Sequence, residues 1–96
     1  MNNQVYVVRT YSAGVFVGEI AQREGKEATL KNARRLWYWS GAASLSELSQ
    51  KGVSNPDGCK FPASVPEIIL TEVIEIIPMT DVAIQSINGV PVWSKH

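Results

Sequence analysis

An arginine pair followed by three aromatic residues is the part of this sequence best suited to binding a ligand. The run RRLWYWS begins at Arg34. Guanidinium groups donate paired hydrogen bonds to phosphate, and indole rings stack on nucleotide bases. Because side chains alternate along a strand, Arg34 and Leu36 would share one face, which Leu36 marks as core-facing. Arg35, Trp37 and Trp39 would share the other face, and we predict ligand contacts from this run.

The same run leads into a predicted helix whose first backbone amides would complete an anion site. Ser44 and Glu47 have the spacing of a capping box, in which each side chain accepts a hydrogen bond from the other residue's amide. Gly52 is a suitable helix end. Free amides at a helix start bind anions, and the small residues of 41–43 let a phosphate approach the backbone. We therefore add Ala43 and Ser44 to the predicted site.

Arg9 and Tyr11, at the end of the first predicted strand, add a further cation and a further ring. The predicted ligand-binding residues are Arg34, Arg35, Trp37, Trp39, Ala43, Ser44, Arg9 and Tyr11. Two alternatives stay open. Tryptophans on a strand are commonly core or subunit-interface residues, and Arg35 can pair with a glutamate instead of a phosphate. A one-residue shift in register would also exchange the roles of Arg34 and Arg35.

Few residues of the chain are suited to catalysis. The single cysteine, Cys59, has no internal histidine to act as its base, because the only histidine is His96. A thiol nucleophile and a small hydrolase are therefore disfavoured. Glu67, Glu72 and Glu75 lie along one predicted strand and do not converge on a metal ion. We predict a non-enzymatic protein with no catalytic residue, no metal site and no cofactor.

The stretch of residues 65–77 is the strongest strand signal in the chain. It is apolar on both faces, which is typical of a central strand covered on both sides. Glu72 interrupts one of these faces. Because an unpaired buried carboxylate is costly, we predict that Glu72 forms an ion pair with a nearby arginine. The candidates are Arg9, Arg34 and Arg35.

β-branched and aromatic residues, separated by glycine-containing turns, predict the remaining strands. Four of them form an antiparallel meander over residues 5–11, 15–22, 27–30 and 34–40, with turns at Gly14, residues 24–26 and residues 32–33. Short helices are predicted from Ser44 to Gly52 and from Thr80 to about Ile87, and an edge strand over residues 90–93. The predicted fold class is α+β, mainly an antiparallel β-sheet of about five to six strands with two short helices.

Length and composition narrow the class of protein. The 96 residues predict a single domain over residues 1–96, and 45% hydrophobic with 19% charged residues is a globular composition. Nine Lys+Arg balance nine Asp+Glu, which argues against an extended nucleic-acid surface. One cysteine fits a reducing compartment, and neither a membrane span nor a secretory signal is recognisable, so we predict a cytoplasmic protein. Three tryptophans in so short a chain predict a homo-oligomer.

Residues 33–52 (ARRLWYWSGAASLSELSQKG), followed by CKFP and EIILTEVIEIIP, resemble a family of small proteins of unassigned function from tailed phages and prophages. The resemblance covers most of the chain, from VVRTYSAGV to PVW. Small phage proteins of this kind include sponges that bind the cyclic-nucleotide signals of the Thoeris and CBASS defence systems. Such sponges are compact α+β homo-oligomers with arginine and aromatic residues in pockets at subunit boundaries.

This analogy favours a phage counter-defence protein that acts in the host cytoplasm and sequesters a nucleotide second messenger. Candidate messengers are a cyclic ADP-ribose isomer and a cyclic oligonucleotide. Arg34 and Arg35 would contact phosphates, and Trp37 or Trp39 would stack on a base. The alternative is a protein-binding module that inhibits or adapts a host protein through the face carrying Trp37 and Trp39.

Overall fold

Runs of β-branched residues separated by glycine turns build the first three strands into an antiparallel meander. In the computed structural model, which describes residues 4–94, these strands are β1 (Val5–Thr10), β2 (Val15–Glu24) and β3 (Glu27–Leu36). Gly14 and Gly25 lie in the two connecting turns with φ of 102° and 59°, a region of backbone conformation that favours glycine. His96 lies outside the described residues.

The stretch predicted as one central strand forms two edge strands instead. These are β4 (Val65–Leu70) and β5 (Val73–Pro78), and the sheet order is β4-β3-β2-β1-β5. The single-strand prediction is therefore wrong. Thr71 and Glu72, which lack the glycine or proline that commonly marks a turn, carry the chain from one edge of the sheet to the other.

This two-residue link requires the sheet to curl into a partly closed barrel. In a flat sheet β4 and β5 would lie roughly 19 Å apart, since neighbouring strands are about 4.8 Å apart. The three Cα steps from Leu70 to Val73 span at most about 11 Å. The curl also brings Val73 to the β2–β3 turn, where its N–H donates to the Lys26 carbonyl oxygen at 2.9 Å.

The long β2–β3 hairpin bends at two bulges, one between Val17 and Glu19 and one between Ile20 and Gln22. Gly18 lies in the first bulge. A Cβ at this position would lie 3.1 Å from the Lys31 carbonyl oxygen, so a side chain here would force the two strands a few tenths of an ångström apart. On β3, Asn32 accommodates the same bend with a φ of 51°.

The curled sheet separates two apolar cores. The barrel core contains strand residues only: Val8, Phe16, Ala28, Leu30, Ala33, Leu70 and Val73. Val8 and Leu30 are fully buried although no helix contributes to this cluster, which shows that the curl of the sheet itself covers them. The outer core lies between the other face of the sheet and the two helices, and includes Val7, Val17, Leu36, Leu48, Phe61, Ala83 and Ile87.

Two short helices cover this outer face, as predicted. They are α1 (Leu45–Lys51) and α2 (Asp81–Asn88), and a 3-10 turn at Pro56–Gly58 lies between α1 and β4. Ser44 Oγ caps α1 by accepting from the Glu47 amide at 3.2 Å. Thr80 Oγ1 caps α2 by accepting from the Ala83 amide at 3.1 Å. No helix of the described residues is long and apolar enough to cross a membrane.

The predicted α+β fold class is confirmed, with five antiparallel strands and two helices. The prediction of separate strands over 27–30 and 34–40 is wrong, because Asn32 forms a bulge rather than a turn and β3 continues to Leu36. Residues 37–40 add a single bridge from Tyr38 to Lys60. The predicted edge strand over residues 90–93 is likewise reduced to one bridge, between Phe61 and Val92.

Replacing Gly18 by alanine should destabilise the fold. The new Cβ would lie 3.1 Å from the Lys31 carbonyl oxygen and 3.3 Å from the Ala33 Cα, and neither backbone atom can move without shifting β3. We expect a loss of about 1–3 kcal/mol in the free energy of unfolding, measured by urea denaturation.

Gly89→Ala is the matched control, because a Cβ there meets nothing closer than 3.5 Å and Gly89 has helical φ and ψ. It should change the unfolding free energy by no more than about 0.5 kcal/mol. Equal effects of the two substitutions would contradict the assignment of the bend to Gly18.

Candidate functional site

The neighbouring arginines Arg34 and Arg35 lie on opposite faces of β3. Arg34 is 7% exposed and shares the helix-covered face with Leu36, as predicted. Arg35 pairs across the sheet with Phe16, a barrel-core residue, and is exposed. The register thus gives the two guanidinium groups different surroundings, and each borders a cavity of its own.

The Arg34 guanidinium lies in a cage of backbone carbonyl oxygens. Nε donates to Pro62 at 2.9 Å and Nη1 to Ile87 at 3.0 Å. Nη2 donates to Phe61 at 3.1 Å, Val90 at 2.9 Å and Pro91 at 3.3 Å. The Phe61 ring centroid is 5.5 Å from the guanidinium carbon, close enough for a cation–π contact.

This cage ties β3 to two distant parts of the chain, the segment before β4 and the C-terminal end of α2. Its partners are neutral, and no carboxylate among the described residues forms a salt bridge with Arg34. Burial lowers the pKa of Arg34 from its ordinary value. Four of the five guanidinium N–H groups have carbonyl partners, and one N–H on Nη1 has no acceptor among residues 4–94. Most of the Arg34 hydrogen-bonding capacity therefore goes to the fold.

Arg35 has the opposite character. Its guanidinium carbon lies 4.7 Å from the centroid of the Phe16 ring, in a stacked cation–π contact. None of the side chains described for residues 4–94 forms a hydrogen bond or salt bridge with it. The stacked group borders a groove of about 210 Å³, which we call the Arg35 groove, whose walls include Ala33, Pro62 and Ile68. A cation with unused donors beside an apolar wall can bind an anion that carries a flat or apolar group.

The aromatic residues that follow do not continue the alternation, because β3 ends at Leu36. Trp39 is half-buried against the outer core, whereas Trp37 is 65% exposed and Tyr38 54% exposed. Tyr38 bridges to Lys60, whose Nζ lies 5.7 Å from the centroid of the Trp93 ring. Neither Trp37 nor Trp39 lines the Arg35 groove.

The predicted anion site at the start of α1 already has an anion from the chain itself. The Ala43 amide donates to the Glu47 carboxylate at 2.7 Å, and the Ser44 side chain accepts from the Glu47 amide. The reciprocal pairing predicted for the capping box is therefore present, but the amide that binds the Glu47 carboxylate belongs to Ala43 and not to Ser44. Neither Ala43 nor Ser44 borders the Arg35 groove.

Arg9 and Tyr11 lie apart from the groove as well. Arg9 forms an exposed salt bridge with Glu75 at 3.0 Å, and Tyr11 is 77% exposed. The prediction that Glu72 pairs with an arginine is wrong. Glu72 is exposed in the link between β4 and β5, where it accepts from Ser12 Oγ at 3.3 Å. Because the link reaches the surface, this carboxylate needs no buried partner.

A second cavity, which sequence reasoning missed, lies between the sheet and α2 and also measures about 210 Å³. Arg34, Glu19 and Asn32 border it from the sheet, and Asn32 Nδ2 donates to Glu19 Oε2 at 3.1 Å. We call it the helix-side cavity. Its one local sequence signal is Asn32, since asparagine is enriched at positive φ, a conformation that turns and bulges share. Residues 4–94 contain no group of three or more His, Cys, Asp or Glu side chains placed to hold a metal ion.

The chain belongs to the family described as Domain of unknown function (DUF6948), whose model matches residues 3–87. No curated protein and no solved structure matches the chain. The matched residues include all five strands, both arginines and every residue that lines the two cavities except Asn88.

Arg34→Lys should strongly destabilise the protein although it keeps the positive charge. A lysine has three donors on one nitrogen and cannot reach carbonyl oxygens spread around a planar guanidinium. The unsatisfied buried carbonyls should cost about 3 kcal/mol or more of unfolding free energy, measured by urea denaturation. Arg23→Lys, at an exposed position of β2, should change it by no more than about 0.5 kcal/mol. Similar stabilities for the two variants would contradict a structural role of the cage.

Proposed function

We propose that this DUF6948 protein is a non-enzymatic binding protein that sequesters a nucleotide second messenger, held at the Arg35 groove. The observation that carries the proposal is the Arg35 guanidinium, which lies over the Phe16 ring beside an apolar groove and has no hydrogen-bond acceptor among residues 4–94. A nucleotide fits this surface because its phosphate can bind the guanidinium while its base or ribose packs against the apolar wall. The resemblance of residues 33–52 to phage proteins supports a counter-defence setting, with a cyclic ADP-ribose isomer or a cyclic oligonucleotide as the messenger.

Stacking prepares Arg35 for this role. An exposed arginine normally loses side-chain freedom when it binds, which weakens binding. The guanidinium carbon already lies 4.7 Å from the Phe16 ring centroid, so part of this ordering is complete before a ligand arrives. Phe16 itself is 1% exposed and fixed in the barrel core, which makes it a rigid support.

The lining of the groove supports binding rather than catalysis. Its walls are formed by apolar side chains such as Ala33, Ala63 and Ile68, with Arg35 as the charged group. Such a set can orient an anion but supplies neither a nucleophile nor a general base. Cys59 is buried elsewhere, with its Sγ 3.4 Å from the Asn55 carbonyl oxygen.

The size of the groove supports self-association as part of the proposal. At about 210 Å³ it is smaller than the roughly 300–1,000 Å³ of a typical small-molecule site. One groove would therefore cover only part of a cyclic nucleotide, and a second copy of the chain would cover the rest. Trp37, 65% exposed, is available for that contact.

A second candidate function is a protein-binding module, which the exposure of Trp37 and Tyr38 favours. Trp37→Ala distinguishes the two roles of this surface. Loss of the oligomer with nucleotide affinity retained points to a subunit interface. A monomeric wild-type mass by light scattering, together with stoichiometric binding of one host protein that Trp37→Ala abolishes, points to the protein-binding module.

Arg35→Ala should weaken nucleotide binding by at least about tenfold, because a charge-assisted hydrogen bond contributes about 1.5–3 kcal/mol. The measurement is calorimetry of the full chain against a panel of cyclic ADP-ribose isomers, cyclic dinucleotides and cyclic trinucleotides. Arg23→Ala removes an exposed arginine from another part of the sheet and should leave the affinity unchanged.

Two results would overturn the proposal. One is the absence of binding tighter than the high-micromolar range to any nucleotide in the panel. The other is equal weakening by Arg35→Ala and Arg23→Ala, which would indicate a general effect of net charge. Recovery of chemically altered nucleotide after incubation would contradict the non-enzymatic part.

A further inference from the structure

We infer that the helix-side cavity is a second binding site and that its ligand is a small zwitterion, a free α-amino acid with an apolar side chain. The cavity has a cation, an anion and apolar walls, which together match the three parts of such a molecule. Arg34 and Glu19 supply the charges, while Val5, Met79 and Ile84 contribute to the walls.

The cationic end is the Nη1 side of Arg34. Of the five residues whose carbonyls surround this guanidinium, only Ile87, the acceptor of Nη1, also borders the cavity. Nη1 carries two hydrogens and has this one acceptor among the described residues. Arg34 itself borders the cavity, so we infer that a ligand carboxylate there accepts the remaining N–H. No carboxylate forms a salt bridge with Arg34 among residues 4–94, so the buried cation gains a counter-charge.

The anionic end is Glu19. Glu19 is half-buried, and its Oε2 accepts a hydrogen bond from Asn32 Nδ2 at 3.1 Å. Oε1 has no hydrogen-bond partner among the described side chains, so it is available to a ligand ammonium. A half-buried carboxylate interacts with a cation more strongly than an exposed one, because water screens it less.

Backbone geometry at Asn32 orients the Asn32–Glu19 pair. Asn32 has a φ of 51° and is the only described non-glycine residue with positive φ. Asparagine tolerates this conformation well, and here it belongs to the bulge that bends the β2–β3 hairpin. Here it presents the Asn32 amide to the Glu19 carboxylate and fixes its orientation beside the cavity.

The two sites are separate pockets that lie on opposite faces of the sheet. Val17 and Phe16 are neighbours in β2, and Val17 borders the helix-side cavity whereas Phe16 borders the Arg35 groove. Alternation along the strand separates them. A volume of about 210 Å³ and apolar walls from Met79 and Ile84 suit an aliphatic side chain.

The test titrates the full chain with L-leucine and L-methionine, followed by calorimetry and by NMR shifts of the Asn32 side-chain amide. 3-Methylbutylamine and 4-methylpentanoate, which each lack one charge of leucine, serve as matched ligands. We expect both amino acids to bind, and each single-charge analogue to bind at least about tenfold more weakly than leucine.

Three variants complete the test. Glu19→Gln should weaken leucine binding by about tenfold, whereas Glu24→Gln, at the exposed end of β2, should leave it unchanged. Asn32→Gly suits the positive φ and should fold normally, yet it should weaken binding because Glu19 loses its orienting amide. Arg34 is not varied, because its loss would affect the fold.

No binding of either amino acid at millimolar concentration would overturn the inference. Leucine binding that equals that of an analogue, or that survives Glu19→Gln, would overturn it too. Arg35→Ala should leave leucine affinity unchanged, and nucleotides should not compete with leucine. Failure at this site is thus separate from failure of the nucleotide proposal, which depends on Arg35.

Discussion

The carbonyl cage around Arg34 is the interaction on which both candidate sites depend. It joins β3 to Phe61 and Pro62 before β4, and to Ile87 at the end of α2. Pro62 is part of the Arg35 groove, and Ile87 is part of the helix-side cavity. A planar guanidinium can satisfy carbonyls that approach from several directions, which a lysine or an apolar residue cannot. One buried side chain therefore sets the distance between the sheet and the segments that complete each cavity.

Closure of the sheet explains how so short a chain supports two cores. Thr71 and Glu72 join opposite edges, so the sheet buries Val8 and Leu30 without a covering helix. Both helices are then available for the other face, where Leu48 and Ile87 form the outer core. The bend at Gly18 makes closure possible and also shapes the helix-side cavity, which Gly18 borders.

Local signals in the sequence predicted the parts of the fold that depend on neighbouring residues. The caps at Ser44 and Thr80 located both helices, since each hydrogen bond spans three residues. Strand alternation correctly placed Leu36 in the core. The break at residues 71–72 was missed because it follows from closure between distant strands, and no turn residue marks it. The bulge at Asn32 was missed because the same residue type also favours turns.

The candidate site was predictable only in part, for the same reason. The pattern that places two arginines on opposite faces of a strand is local, but their partners are not. The Arg34 acceptors lie 27 to 57 residues away along the chain, so no spacing near position 34 distinguishes it from Arg35.

What differs is the row of the sheet each one joins: Val17 and Val7 beside Arg34, Phe16 and Val8 beside Arg35. An aromatic ring beside Arg35 lets its guanidinium stack and stay exposed, whereas the small valines beside Arg34 leave room for carbonyls to close over it. The side chains of β2 thus determine which arginine supports the fold and which remains available to a ligand.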